Sequence, residues 1–171
     1  MHNVVAGPTR GACGVGEGDE GEFGAGAATV WVVDDTEAIL VLATSVFERA
    51  GWRVTTFEDL AGARSALAVG PAPDAVLLDI HLPDGNGLDH VRPFAAAGSA
   101  VVVVTNVAGP DQVEAAFAAG ADDVVPKPFD LRSLLARVER ATRATRAARF
   151  APTPPPRAHP TVTLAGGAER G

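Results

Sequence analysis

Four short apolar runs in the chain each lead directly into side chains that bind phosphate or divalent metal ions. The clearest is Ala75-Val-Leu-Leu78, which ends in Asp79 and is followed by a turn-forming stretch of Pro, Asp, Gly and Asn. An ionised carboxylate at the end of a buried strand is costly unless it is paired or bound to a cation. The other three runs end at Asp34 and Asp35, at Thr105 and Asn106, and at Lys127.

These residue types predict phosphoryl chemistry that depends on a divalent metal. Three carboxylates brought to one place repel one another, and a cation relieves that repulsion. Oxygen ligands suit Mg²⁺, with Mn²⁺ as an alternative, whereas zinc would call for an imidazole or thiolate cluster. We expect Asp34, Asp35 and Asp79 to meet at this site, with Asp79 as the oxygen nucleophile. The Thr105 hydroxyl and the Lys127 ammonium suit the equatorial oxygens of a transferred phosphoryl group.

Each of these residues also has an ordinary structural explanation when it is taken alone. Asp34 and Asp35 could cap a following helix. Thr105 could be a strand-end hydroxyl, and Lys127 could be a solvated loop lysine. The ring of His81 fits a surface group better than a metal ligand. What favours a functional site is that the carboxylates, the hydroxyl and the ammonium all follow apolar runs.

The segments between these runs have helical periodicity, so the chain alternates strands and helices. Apolar residues recur at spacings of three and four, and the longer predicted helices cover residues 36–50, 58–68, 110–119 and 129–149. A short helix should start near Gly87, and Pro93 should kink or end it because proline removes a donor and clashes with the preceding turn. A further strand is predicted at 52–56.

This alternation predicts an α/β fold with a single doubly wound, five-stranded parallel sheet covered by five helices. Right-handed crossovers bring the carboxyl ends of all the strands to one edge of such a sheet. Ligand sites of open α/β sheets form at that edge. The sequence therefore predicts that the metal-binding and phosphate-binding residues lie together.

Length and composition indicate one domain with a tail at each end. Of the 171 residues, 47% are apolar, which is enough for a sizeable core, and the net charge of −7 argues against an electrostatic nucleic-acid binder. Residues 1–28 are rich in Gly, and residues 150–171 are rich in Pro and Gly, so both segments are predicted to be disordered. The domain itself should occupy residues 29–149.

Cysteine content and hydropathy predict a cytoplasmic protein. The only cysteine, Cys13, excludes an intramolecular disulfide framework and a zinc site built from a cysteine cluster. No apolar run approaches the roughly 18 residues that span a bilayer. The N-terminus lacks the basic and apolar regions of a signal peptide, and no membrane partner is expected.

The order of the motifs closely resembles receiver domains of two-component response regulators. The resemblance covers roughly residues 29–149 and rests on Val-Val-Asp34-Asp35, Leu-Leu-Asp79-Ile-His-Leu-Pro83-Asp-Gly-Asn-Gly87, Val-Val-Thr105 and Gly120-Ala-Asp-Asp-Val-Val-Pro-Lys127-Pro128-Phe129. It implies the flavodoxin-like (βα)5 fold and phosphoryl transfer to Asp79 from a sensor histidine kinase or a phosphotransfer protein. It implies no enzymatic activity beyond Mg²⁺-dependent self-phosphorylation and self-dephosphorylation.

The resemblance also implies a metal-binding role for individual residues. Asp35, Asp79 and the backbone carbonyl of His81 would bind Mg²⁺ directly. Asp34 would reach the metal through water.

On the phosphate side, the resemblance implies that Thr105 and Lys127 hold the acyl phosphate and that the Lys127–Pro128 peptide is cis. Two residues differ from the family pattern. Val124 stands three residues before the lysine, where the family usually has an aromatic residue that switches with the threonine, so altered switching is expected. Asn106 replaces the small residue that usually follows the threonine, and it would crowd access to the phosphate.

The end of the domain looks most like receivers that precede winged-helix DNA-binding domains. In those receivers, charged pairs across the fourth and fifth helices dimerise the phosphorylated form. Asp123 with Arg137 is the candidate pair here, and a solvated salt bridge within one chain is the alternative. We expect no output domain in the short tail, hence a stand-alone receiver or a truncated regulator. Arginines crowd the last predicted helix, but no direct contact with nucleic acid is expected without a helix-turn-helix partner.

Two other functions are compatible with some of these residues. A haloacid-dehalogenase-like phosphohydrolase also uses an Asp nucleophile, Mg²⁺, a Thr and a Lys. That family needs a second Asp two residues after the nucleophile, where this chain has His81. The other is a receiver-like interaction module that is never phosphorylated, which is suggested by Val124 and Asn106.

Overall fold

The computed structural model describes residues 26–106 and 109–150. The predicted leader and tail lie outside these residues, except for 26–28 and Phe150. The elements follow one another as β1 (Thr29–Val33), α1 (Glu37–Arg49), β2 (Arg53–Phe57), α2 (Leu60–Val69), β3 (Ala75–Asp79), β4 (His81–Leu82), β5 (Gly85–Asn86), α3 (Leu88–Ala96), β6 (Ala100–Thr105), α4 (Pro110–Ala119), β7 (Asp123–Pro126) and α5 (Leu131–Phe150). Within this described part, no helix has the length and apolar character needed to cross a membrane.

Five of the strands form one parallel sheet in the order β2-β1-β3-β6-β7. β1 pairs with β2 on one side and with β3 on the other, and β6 pairs with β3 and β7. The strand order therefore reverses at β1, which is the mark of a doubly wound sheet, and the predicted flavodoxin-like fold is confirmed. β4 and β5 form a separate antiparallel hairpin, which the sequence pattern does not predict.

Side chains that alternate along the central strands fill two apolar cores, one on each face of the sheet. In β3, Leu77 joins the core beneath α1 and α5, whereas Leu78 joins the core beneath α2, α3 and α4. This alternation follows from the strand pleat, and the presence of helices on both faces explains why β3 and β6 are apolar along most of their length. Phe47 of α1 and Phe94 of α3 are fully buried in these two cores.

Pro93 does not end α3, so of the two outcomes expected for it, a kink or an end, the end is wrong. α3 runs from Leu88 to Ala96 with Pro93 inside it, and the carbonyl of Pro93 accepts the N–H of Ala97 at 3.1 Å. Phe94 is fully buried beneath the sheet and anchors the following turn. Burial of a large apolar side chain contributes about 1.5–3 kcal/mol, which is comparable to the cost of an interior proline.

At the amino edge of the sheet, the carboxylate of Asp74 connects three parts of the fold. Its Oδ2 accepts hydrogen bonds from the backbone N–H of Thr29 at 2.9 Å and from the Thr29 hydroxyl at 3.1 Å. Its Oδ1 lies 2.7 Å from Nη2 of Arg146 in α5. Burial by itself would raise the pKa of Asp74, but the contacts with Arg146 and Thr29 outweigh it and lower the pKa below its ordinary value.

We expect Asp74→Asn to destabilise the protein by about 1 kcal/mol at neutral pH, because the ion pair with Arg146 is lost. The lowered pKa sets the sign of the pH dependence. The carboxylate stabilises the fold above the unfolded pKa of about 3.9, and this contribution is lost as the pH falls through the lower folded pKa. Urea unfolding at a series of pH values measures the difference between the two proteins. A difference that widens in acid would contradict this role for Asp74.

Candidate functional site

The carboxyl edge of the sheet brings together the residues that follow the apolar runs. Asp79 is the last residue of β3, and Thr105 is the last residue of β6. Asp34 directly follows β1, and Lys127 directly follows β7. Asp79 pairs in register with Val104, one residue before Thr105. Because the strands are parallel, their carboxyl ends open onto one shared site.

Asp34, Asp35 and Asp79 form a compact acidic cluster. One carboxylate oxygen of each residue lies within 4.8 Å of the others. Asp34 and Asp79 are each 3% exposed, whereas Asp35 is open to solvent. Like charges at this separation repel one another, most strongly where water is excluded. The donor atoms are all carboxylate oxygens and the cluster is open on the Asp35 side, which fits a hard divalent cation such as Mg²⁺ or Mn²⁺.

The ammonium of Lys127 lies between the two buried carboxylates. Its Nζ is 2.7 Å from Oδ2 of Asp34 and 2.5 Å from Oδ2 of Asp79. Burial by itself would lower the pKa of Lys127, but the hydrogen bonds and charges of Asp34 and Asp79 outweigh it and raise the pKa above its ordinary value. Lys127 is therefore a cation at neutral pH, and it offsets one of the three negative charges.

Thr105 is fully buried, and its backbone is hydrogen-bonded to that of Lys127. The carbonyl of Thr105 accepts the N–H of Lys127 at 2.7 Å, which joins the end of β6 to the end of β7. The Lys127–Pro128 peptide is cis, as the resemblance implies. Asn106 is exposed and lines an open groove together with Lys127 and Pro128.

Asp34 and Asp35 do not cap α1, so the structural alternative considered for them is wrong. The N-cap residue of α1 is Thr36, and it makes no side-chain capping bond. Oδ1 of Asp34 accepts the N–H of Thr36 at 2.9 Å, which closes a short turn ahead of the helix. Oδ2 of Asp34 accepts its hydrogen bond from Lys127. The carboxylate is thus oriented by the backbone through one oxygen and by a cation through the other.

The backbone that follows Asp79 is packed tightly against it. Oδ1 of Asp79 accepts the N–H of His81 at 3.0 Å, and the carbonyl of Ile80 accepts the N–H of Gly87 at 2.8 Å. A Cβ atom at Gly87 would overlap the carbonyl oxygen of Asp79 and would lie 3.0 Å from its carbonyl carbon. The hairpin β4–β5 begins and ends within this small space. The side chain of His81 is exposed, as expected.

We expect Gly87→Ala to destabilise the protein by about 1–3 kcal/mol, because the new methyl group can be accommodated only if the backbone at Asp79 moves. Urea unfolding measures the loss. Gly109→Ala is the control, since nothing lies within 4 Å of a Cβ placed there. Equal stability of the Gly87 and Gly109 variants would show that the loop is looser than the structure indicates.

One contact beside the site has no counterpart in the sequence prediction. Asp84 lies in the turn between β4 and β5, and its carboxylate accepts the N–H groups of Leu60 at 3.0 Å and Ala61 at 2.8 Å, at the amino end of α2. The local sequence around Asp84 indicates only a turn. Its partners lie 24 and 23 residues away, so a local pattern does not reveal them.

Asp123, the candidate for an interchain ion pair, is paired within its own chain. Its two carboxylate oxygens each lie 3.0 Å from Nη1 of Arg137, and its Oδ2 lies 2.8 Å from Nη2 of Arg140. This is the intrachain alternative that the sequence left open. Val124, the next residue, packs against the core beneath α2, α3 and α4.

Comparison with known protein families identifies the family of this chain. The family described as the response regulator receiver domain matches residues 30–139, which is more than half of the sequence. The chain belongs to this family. It is therefore a receiver domain of the two-component type, in which phosphorylation of an aspartate is typical. The phosphohydrolase alternative is wrong as a family assignment.

Two similar curated proteins are transcriptional regulators. The DNA-binding transcriptional regulator NtrC of Escherichia coli K12 is 37% identical over 114 residues, which is 66% of this chain and 24% of NtrC. The transcriptional regulatory protein KdpE of Mycobacterium tuberculosis H37Rv is 39% identical over 114 residues, which is 66% of this chain and 50% of KdpE. The chain thus matches half or less of the length of these relatives.

Solved receiver structures share the fold. A CheY-like receiver domain protein of Methanospirillum hungatei JF-1 superposes with a TM-score of 0.67 at 23% identity, covering 71% of this chain and 98% of that one. The BeF3-activated DrrB receiver domain superposes with a TM-score of 0.61 at 34% identity, covering 68% of this chain and 98% of that receiver-domain chain. Both matches support the receiver fold found here.

Proposed function

We propose that Asp79 accepts a phosphoryl group from the phosphohistidine of a sensor histidine kinase or a phosphotransfer protein. The observation that carries the proposal is the position of Asp79 at the carboxyl edge of the sheet, where its carboxylate clusters with Asp34 and Asp35 and contacts Lys127. Its Oδ1 is oriented by the N–H of His81 and its Oδ2 by the ammonium of Lys127. A carboxylate fixed in this way is preorganised as a nucleophile.

In the transfer, a carboxylate oxygen of Asp79 forms a bond to phosphorus as the N–P bond of the phosphohistidine breaks. The bonding electron pair stays on the imidazole nitrogen, which then takes up a proton from the medium. Lys127 already contacts this carboxylate, so its ammonium is close enough to bind the oxygens of the transferred group. Thr105, at the adjacent strand end, would supply a hydroxyl to the same group.

Asp34, Asp35, Asp79 and the backbone carbonyl of His81 are the groups that would hold Mg²⁺, with Mn²⁺ as an alternative. When bound, the cation offsets the charge of the cluster and polarises the phosphoryl oxygens. Support comes from the charge balance of the site. Three carboxylates and one ammonium leave two uncompensated negative charges, which matches a divalent cation.

The receiver would act on itself and not on a separate substrate that it turns over. Self-phosphorylation by a small phosphodonor and self-dephosphorylation both use the same carboxylate. We also propose, from the sequence, that the protein is cytoplasmic.

An apolar groove beside Lys127 supports the approach of a protein phosphodonor from one side. The groove has a volume of about 410 Å³ and lies between α1 and the start of α5, lined by Ile39, Leu42, Asn106, Lys127, Pro128, Phe129 and Leu131. Leu42 is 53% exposed, although a large apolar side chain gains by burial. The groove is continuous with Lys127, which contacts Asp79, so a donor bound there would have its phosphohistidine near the nucleophile.

Phosphorylation would switch partner or dimer contacts, and the face formed by α4 and α5 is the expected surface for a homodimer. Asp123 already binds two arginines of its own chain, so an interchain pair there would replace existing contacts and gain little. A dimer on this face would have to depend on other residues. The pairing of Arg137 and Arg140 with Asp123, and of Arg146 with Asp74, also supports the expectation that α5 does not bind nucleic acid directly.

Phosphorylation of Asp79 can be tested with a small phosphodonor. We expect the full chain, incubated with Mg²⁺ and acetyl phosphate, to gain the mass of one phosphoryl group, and we expect Asp79→Asn to abolish that gain because the nucleophile is missing. Intact-protein mass spectrometry measures both. Asp89→Asn is the matched control, since Asp89 is an exposed carboxylate on α3 and should be labelled like the wild type. Equal labelling of Asp79→Asn would refute the assignment, and absence of labelling in the wild type would favour the unphosphorylated interaction module.

The metal site can be tested without phosphorylation. We expect Mg²⁺ to raise the thermal stability of the wild type, by about 2.7 kcal/mol at a concentration one hundred times the Kd. Asp35→Asn should lose most of this gain while folding normally without Mg²⁺, because Asp35 is exposed and is not paired with Lys127. Thermal unfolding with and without Mg²⁺, at matched ionic strength, measures both. Equal gains in the two proteins would argue against Asp35 as a ligand.

A further inference from the structure

We propose that Asp84 is a positioning residue for the metal site. Its carboxylate fastens the hairpin β4–β5 to the amino end of α2 and thereby fixes the backbone at His81. The inference rests on the proposed function, because the position of His81 matters only if its backbone carbonyl binds the metal. Nothing in the sequence pattern assigns this role to Asp84.

The carboxylate of Asp84 binds the amino end of α2 through both of its oxygens. Oδ1 of Asp84 accepts the N–H of Leu60 at 3.0 Å, and Oδ2 accepts the N–H of Ala61 at 2.8 Å. These N–H groups have no partner within the helix, and the positive end of the helix dipole favours a carboxylate there. The hydrogen bond from Leu60 lowers the pKa of Asp84 below its ordinary value, so the side chain is ionised at neutral pH.

Apolar packing between the hairpin and α2 adds to the hydrogen bonds of Asp84. The side chain of Leu60 is buried, and a Cβ placed at Gly85 would lie 3.3 Å from Cδ1 of Leu60. Leu82 of β4 is also buried, in the same core as Leu60. The turn of the hairpin is therefore held to α2 by both charge and packing.

The hairpin carries this restraint to the site over a short path. His81 pairs with Asn86, and Leu82 pairs with Gly85, so Asp84, in the turn between the two strands, is three residues from His81 along the chain. At the other end, the N–H of His81 is bound to Oδ1 of Asp79. The backbone of His81 is thus fixed from two directions, by the nucleophile and by α2. Metal ligands need this kind of support, because small displacements of a donor weaken coordination.

A capping role for α2 is the alternative that has to be separated from positioning. Asp59 offers the matched comparison, because it is the N-cap of the same helix and its Oδ1 accepts the N–H of Gly62 at 2.7 Å. Asp59 and Asp84 thus bind neighbouring N–H groups of one helix end and carry the same charge. Asp84 alone of the two belongs to the hairpin, so a specific effect on the metal site should follow Asp84 and not Asp59.

The experiment compares Asp84→Ala with Asp59→Ala in the full chain. Isothermal titration calorimetry measures the Kd for Mg²⁺, and mass spectrometry measures the rate of labelling by acetyl phosphate as a function of Mg²⁺ concentration. We expect Asp84→Ala to raise the Kd for Mg²⁺ about tenfold, the lower limit for loss of a ligand-orienting contact. The labelling rate at saturating Mg²⁺ should stay near that of the wild type, because the nucleophile is intact. Asp59→Ala should leave the Kd unchanged.

A rise in Kd that differs by less than about twofold between the two variants would overturn the positioning role, while labelling of the wild type would leave the proposed function standing. Absence of Mg²⁺ binding by the wild type would overturn both. If Asp84→Ala does not fold, Asp84→Asn and Asp59→Asn decide the question in the same way. Asparagine keeps one acceptor oxygen, so a smaller rise is expected from Asp84→Asn than from Asp84→Ala.

Discussion

The contact of one ammonium group with two buried carboxylates is the interaction on which the rest of the site depends. Lys127 lies 2.7 Å from Asp34 and 2.5 Å from Asp79, and without it two negative charges would face each other with little water to screen them. This repulsion arises because the parallel sheet places the carboxyl ends of β1 and β3 side by side. The same sheet places Lys127, which follows β7, at this edge, and its ammonium offsets the repulsion.

Backbone contacts turn this cluster of charges into a defined geometry. The N–H of Thr36 orients Asp34, the N–H of His81 orients Asp79, and the carbonyl of Thr105 binds the N–H of Lys127. Each of these bonds spans a few residues or joins neighbouring strand ends, so local backbone geometry orients the charged groups that Lys127 holds together. Groups fixed in this way need little rearrangement during a reaction.

The sequence predicts the sheet and the members of the site because both have local signals. Apolar runs such as Ala75-Val-Leu-Leu78 mark buried strands, and the parallel topology then carries Asp34, Asp79 and Lys127 to one edge. Local signals fail where tertiary packing or distant side chains decide the outcome. Pro93 favours the end of a helix, but the burial of Phe94 carries α3 onward.

The contacts made by two acidic side chains show the same limit. The hydrogen bonds that Asp84 accepts from the amino end of α2 join residues more than twenty positions apart, and no spacing in the sequence records them. The pairing of Asp123 was left open between a partner chain and its own chain, because charge patterns alone do not say where an arginine side chain ends. The structure resolves that choice through the position of α5.

The length of α5 has a mechanical consequence. The helix starts four residues after Lys127 at one edge of the sheet, and near its other end Arg146 binds Asp74, while Arg149 donates to the carbonyl oxygen of Gly98. These two contacts near the carboxyl end of α5 oppose sliding of the helix along its axis, since any shift would break them. Rotation about that axis is opposed as well, because Leu134 and Val138 are fully buried and would have to leave the core.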